Sequence, residues 1–158
     1  MTQAAPTSVA DGPGAGLAGL SPAYFGMVMA TGIVSLAADR LGLPAVAQAL
    51  FRLNIGIYGV LWVLTLWRLA RYPRRFFGDM ADHLRGPGFF TAVAGTSLLA
   101  AQFMVLAADF GAAAVLWGVA LALWVGLTYG IFAGLIVKEH KPDLDQGISG
   151  GWLLAVVA

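Results

Sequence analysis

Residues 85–108 read RGPGFFTAVAGTSLLAAQFMVLAA, and after Arg85 the stretch carries no charged side chain. A bilayer core about 30 Å thick takes roughly 20 apolar residues at 1.5 Å of rise each, so a run of this kind predicts a membrane-spanning helix. Outward from this run, at 89–108, comparable ones lie at residues 22–38, 53–70 and 112–137, the last long enough to tilt or protrude. A fifth opens at Gly150 and reaches Ala158 after nine residues, which reads as a chain cut inside a helix. The predicted fold class is therefore all-α: a polytopic membrane protein with a transmembrane domain over 21–158, behind a disordered tail over 1–20 that is rich in Ala, Gly and Pro.

Composition supports this. Of 158 residues 59% are hydrophobic and 11% charged, and the mean hydropathy is +0.82; a soluble domain carries about a quarter charged residues. A formal charge of +1 gives no nucleic-acid footprint, and the absence of cysteine excludes thiolate metal sites and thiol nucleophiles. Basic residues are clustered. Arg68, Arg71, Arg74, Arg75, Arg85, Lys138 and Lys141 fall on the side of the N-terminus, against Arg40 and Arg52 on the other, which places the N-terminus in the cytoplasm. Trp67, Trp117 and Trp152 lie near span ends as candidate interfacial anchors.

The span entries repeat. LSPAYF (Leu20–Phe25), RGPGFF (Arg85–Phe90) and ISGGWL (Ile148–Leu153) each set small residues or proline before an aromatic, 65 and then 63 residues apart, so the repeating unit is a helical hairpin. Within the hairpins the odd spans are rich in small residues and the even ones in Leu, Val and Trp, which places the odd spans inside and the even ones toward lipid. In the third span Thr91, Gly95 and Gln102 share a face within about 40° at 100° per residue, a narrow and mildly polar strip. Gly26, Ala30 and Thr31 give the first span a similar character. The fourth carries a ridge at Gly118, Ala122, Gly126, Gly130 and Gly134, read as a helix-packing seam.

Catalytic chemistry has little to work with. The four spans hold no Asp, Glu, His or Lys away from their ends, no hydrolase or phosphate-loop motif occurs, and neither a cofactor nor a metal is expected. Asp79, Asp82 and His83 have metal-compatible spacing, but the arginines beside them favour a solvated, ion-paired loop. Lys138 to Lys141 read as a charged helix end. Arg52, with Gln48 and Asn54, reads as snorkelling to the far interface, with a positive pore mouth as the sharper alternative.

SPAYFGMVMATGIVSLAA, RGPGFFTAVAGTSLLAAQ and GISGGWLLAVVA, in this order and spacing, resemble the first, third and fifth helices of the tellurite-resistance and C4-dicarboxylate transporter family, within the slow-type, voltage-dependent anion channel superfamily. The resemblance runs from about Ser21 to the end of the chain. It implies ten helices in five hairpins, odd helices around a central pore and even ones outside, assembled as a homo-trimer, of which this chain is the N-terminal half. The later inner helix bearing the family's pore-occluding Phe has no counterpart here. It further implies that Gly26, Ala30, Thr31, Thr91, Gly95 and Trp152 lie on or near the pore-lining helices, with Gln102 on the same strip; Ala30 stands where some relatives have Gly. The expected function is transport of a small anion, a C4-dicarboxylate, tellurite or related oxyanion, across the bacterial inner membrane. The alternative is a non-transporting assembly module that pairs through the Gly118–Gly134 ridge.

Overall fold

The computed structural model describes residues 16, 19–80, 82, 85–137, 153 and 155. All regular structure among them is helical: α1 (Gly26–Arg40), α2 (Pro44–Arg71), α3 (Pro73–Met80), α4 (Phe90–Leu106) and α5 (Phe110–Val137). Four helical stretches are long and apolar enough to cross a membrane: Pro22–Arg40, which is α1 with its entry turn, Pro44–Arg71 (α2), Gly86–Leu106, which is α4 with its entry turn, and Phe110–Gly134 within α5.

The two described copies of the entry motif adopt one conformation. Pro22–Phe25 and Gly86–Phe89 are 3-10 turns that lead directly into α1 and α4, with proline in the first turn of each. Proline suits this place because its missing N–H would have no partner there. The Ser21 hydroxyl accepts the Ala23 N–H at 3.3 Å. The third copy, apart from Leu153, lies outside the described residues.

Helix α2 begins at Pro44, nine residues ahead of the apolar run that starts at Leu53. Gln48 and Arg52 interrupt the hydropathy there without interrupting the helix: Arg52 is exposed, and the Gln48 amide donates to the Leu106 carbonyl at 3.0 Å. At about 42 Å, α2 exceeds the bilayer core. The turn before it needs Gly42, whose φ is +75°. Helix α4 stops at Leu106 because Asp109 starts the next helix, its carboxylate accepting the Ala112 N–H at 2.9 Å. The link passes through Ala108 at φ +50°.

The segment after α2 is ion-paired, as expected, but it is helical where a loop was expected. Pro73–Met80 is helical, with Phe76 and Met80 turned toward the bundle and Arg74, Arg75 and Phe77 outward. Arg68, from the end of α2, is 2% exposed and pairs with Asp79, whose carboxylate also receives Arg85 at 3.0 and 3.1 Å. One aspartate thus ties the end of α2 to the entry of α4. Charges this close to a membrane end are retained when each is paired.

Helix α4 is the centre of the bundle. Its Phe90 and Val93 join Phe89, Ala120 and Ile131 in one apolar cluster, while its Ala92 joins Phe25, Val28 and Leu61 in another. Of its spanning stretch 56% is buried, against 28% for α1, 17% for α2 and 11% for α5. The odd spans are the inner ones among the described residues.

Candidate functional site

The two odd spans pack side by side and run parallel, since their entry turns touch and each is followed by an antiparallel partner. Small residues permit the approach. A Cβ on Gly95 would stand 3.3 Å from the Phe25 carbonyl oxygen and 3.3 Å from Val28 Cβ, and one on Gly88 3.4 Å from the Ala23 nitrogen. The Thr91 hydroxyl sits between the carbonyls of Gly88 (2.7 Å) and Pro22 (3.0 Å), sharing its proton between its own turn and the neighbouring span.

A ladder of polar contacts then fixes α2 against this pair. Ser35 donates to the Ala47 carbonyl at 2.8 Å, the Asn54 amide donates to Gln102 Oε1 at 2.6 Å, and the Tyr58 hydroxyl lies 3.0 Å from that of Thr96. Thr96 gives its own proton to the Ala92 carbonyl, so Tyr58 is the donor in that contact. Where neither lipid nor apolar side chains can hydrogen-bond, such contacts fix which faces meet. Gly32 makes room for the middle rung: a Cβ there would lie 3.3 Å from Asn54 Nδ2 and 2.7 Å from the Leu98 side chain.

These contacts separate the expected pore-lining residues into two groups. Thr91, Gly95 and Gln102 are buried, and their strip faces α1 and α2 rather than an open lumen. The shared polar face was legible in the spacing; its partners, 48 and 69 residues away in sequence, were not. Gly26, Ala30 and Thr31 differ. Among the described residues nothing lies within 4 Å of a Cβ on Gly26, Ala30 is exposed and Thr31 half-buried. Trp152 lies outside the described residues.

The trio at the start of the second span also divides. Arg52 is exposed, as snorkelling requires, whereas Asn54 is fully buried in its pair with Gln102. The exposed Trp67 and Trp117 stand near the ends of their helices. On α5 the ridge turns away from the described bundle: Gly118, Ala122, Gly126 and Gly130 are exposed and Gly134 half-buried, and among the described residues there is open space at Gly118 and Gly126 and only Met80 Cε at 3.3 Å from a Cβ on Gly130. Helix α5 instead packs inward through Ala120, Leu123, Leu127 and Ile131.

Among the described residues no group of three His, Cys, Asp or Glu could hold a metal. Asp79 is occupied by its two arginines, and His83, like Lys138 to Lys141, lies outside the described residues. No curated protein and no solved structure matches the chain. The family model for the voltage-dependent anion channel matches residues 19–158, from the first entry turn through all four spans. Parallel inner spans built of small residues, outer spans with exposed apolar faces and a family match over this length together mean that the chain belongs to the voltage-dependent anion channel family, a family of multi-pass membrane channels and transporters for anions.

Proposed function

We propose that α1 and α4 form part of the wall of a pathway for small oxyanions, C4-dicarboxylates or tellurite among them, and that Gly26, Ala30 and Thr31 face that pathway, joined by Trp152 from the following span. The observation that carries this reading is the parallel pairing of α1 and α4. Their N-terminal ends lie together, neither has an acidic residue in its first turn, and their peptide dipoles present positive ends to the same side. An anion meets backbone and hydroxyl dipoles there without a fixed charge that would hold it too tightly to leave. Thr91, Gly95 and Gln102 then set the position of the wall.

The proposed setting is the bacterial inner membrane, with the N-terminus in the cytoplasm and the molecule a homo-trimer. For assembly we assign the Gly118–Gly134 row of α5, whose open side favours close approach by another helix. Among the described residues nothing lies within 4 Å of a Cβ at Gly118 or Gly126, so loss of oligomers on crosslinking Gly118→Leu with Gly126→Leu would reflect the seam and unchanged oligomers would refute it.

The functional test is flux through the native protein reconstituted in liposomes. Uptake of labelled succinate, reduced by competing tellurite, is the expected result. Chloride flux without succinate uptake or tellurite competition would refute the substrate assignment, and absence of any anion flux would refute the pathway.

A further inference from the structure

The two ends of the bundle differ in charge. Where α1 ends and α2 begins, Arg40 and Arg52 are balanced by Asp39 and Asp109. At the other end the loops after the second and fourth spans hold seven Lys and Arg against five Asp and Glu, an excess of two positive charges, and residues 68–85 alone hold five arginines and two aspartates, an excess of three. Both aspartates are engaged there: Asp79 by Arg68 and Arg85, and Asp82 by the Arg85 N–H at 3.1 Å. The excess therefore falls on Arg71, Arg74 and Arg75, all exposed and without an acidic partner among the described residues.

We propose that Arg71, Arg74 and Arg75, with Phe77, form a docking surface for the phosphate headgroup of an anionic membrane lipid. Two observations point to lipid rather than to water alone. Helix α3 follows directly on a membrane-spanning helix, so it lies at the level of the headgroups. It also turns its aromatic residues to opposite sides: Phe76 packs on Phe89 within the bundle, while Phe77, 59% exposed, stands beside Arg74 on the outer face. An exposed phenyl ring among guanidiniums fits the boundary between headgroup and acyl chain, where the ring enters the apolar layer and the charges remain with the phosphates. Guanidinium groups suit that partner because they offer paired N–H donors to phosphate oxygens. Arg75 is partly held in place over the Tyr72 ring, 5.8 Å from its centroid.

The test is native mass spectrometry of the detergent-solubilised protein, titrated with phosphatidylglycerol or phosphatidylcholine. The wild type binds phosphatidylglycerol preferentially, and R71Q/R74Q/R75Q weakens that binding about five-fold per arginine, about a hundred-fold in all. R71K/R74K/R75K keeps most of the preference because the charge remains, and R40Q/R52Q, at the balanced end, keeps all of it. Phe77→Ser weakens retention of both lipids. Wild-type preference in R71Q/R74Q/R75Q, an equal loss in R40Q/R52Q, or displacement of the lipid by an equal concentration of soluble glycerol phosphate would overturn the proposal. All the substituted side chains are exposed, so an unchanged melting temperature without lipid separates lost binding from lost folding.

Discussion

Helices α4 and α5 are both almost wholly apolar and both rich in small residues, yet 56% of one spanning stretch is buried and only 11% of the other. Hydropathy does not separate them, because lipid solvates an apolar side chain as well as a neighbouring helix does. What separates them is where the small residues stand relative to polar ones. In α4 the small side carries Thr91, Thr96 and Gln102: both hydroxyls and the Gln102 side-chain carbonyl are bonded to another span or within the helix, while Gln102 Nε2 has no partner among the described residues. In α5 the glycine row has only the exposed Tyr129 beside it and faces away from the described bundle, while Ala120 and Ile131 make the inward contact. A glycine row marks capacity for close approach; polar groups needing partners mark which approach this chain itself makes.

The comparison is sharpest at two glycines. Gly95→Leu puts a branched side chain against the Phe25 carbonyl and Val28, and should destabilise the protein by about 3 kcal/mol, the upper end for overpacking. Gly126→Leu, with open space around it, should leave unfolding of the protomer within about 0.5 kcal/mol of wild type. Chemical denaturation in mixed micelles measures both; similar losses would mean that the faces of α4 and α5 are not distinguished as described.

Next in size is the buried amide pair. Gln102→Leu strands the Asn54 amide and should cost about 2 kcal/mol, whereas Asn54→Leu with Gln102→Leu should recover most of that loss because no polar group is left without a partner. Equal losses in the single and double variants would show that the pair does not act as a unit. Thr91→Val removes one shared hydroxyl contact between the entry turns and should cost about 0.6 kcal/mol, the mean for such bonds in membranes. Trp117→Leu, on the exposed side of α5, should stay within about 0.5 kcal/mol in the same assay.

Much of this was legible from the residues alone. The four spans follow from long apolar runs, and the entry motif gives the hairpin repeat, because proline or glycine before an aromatic starts a tight turn in both described copies. Helix α3 was not legible: Tyr72–Pro73 reads as a break, and the arginines around it mimic a solvated loop until Phe76 and Met80 are seen to pack. The burial of Arg68 was hidden for a related reason, since it depends on Asp79 across that break. In the candidate site, the strip Thr91–Gly95–Gln102 was visible as a face, but periodicity does not reveal what a face meets. Gln102 was legible as polar and inward; that its partner is Asn54 is long-range information which hydropathy does not carry.

The central claim is that anions pass along the α1 side of the inner spans, and Gly26 tests it most directly. It has open space, so Gly26→Asp and Gly26→Ala both fit the fold, and only the first adds a negative charge. Uptake of labelled succinate by liposomes holding each variant should fall by at least about ten-fold for Gly26→Asp, since like charges a few ångströms apart repel strongly away from bulk water. Gly26→Ala should remain near wild type. Equal flux in all three proteins would contradict the account and take Gly26 off the pathway.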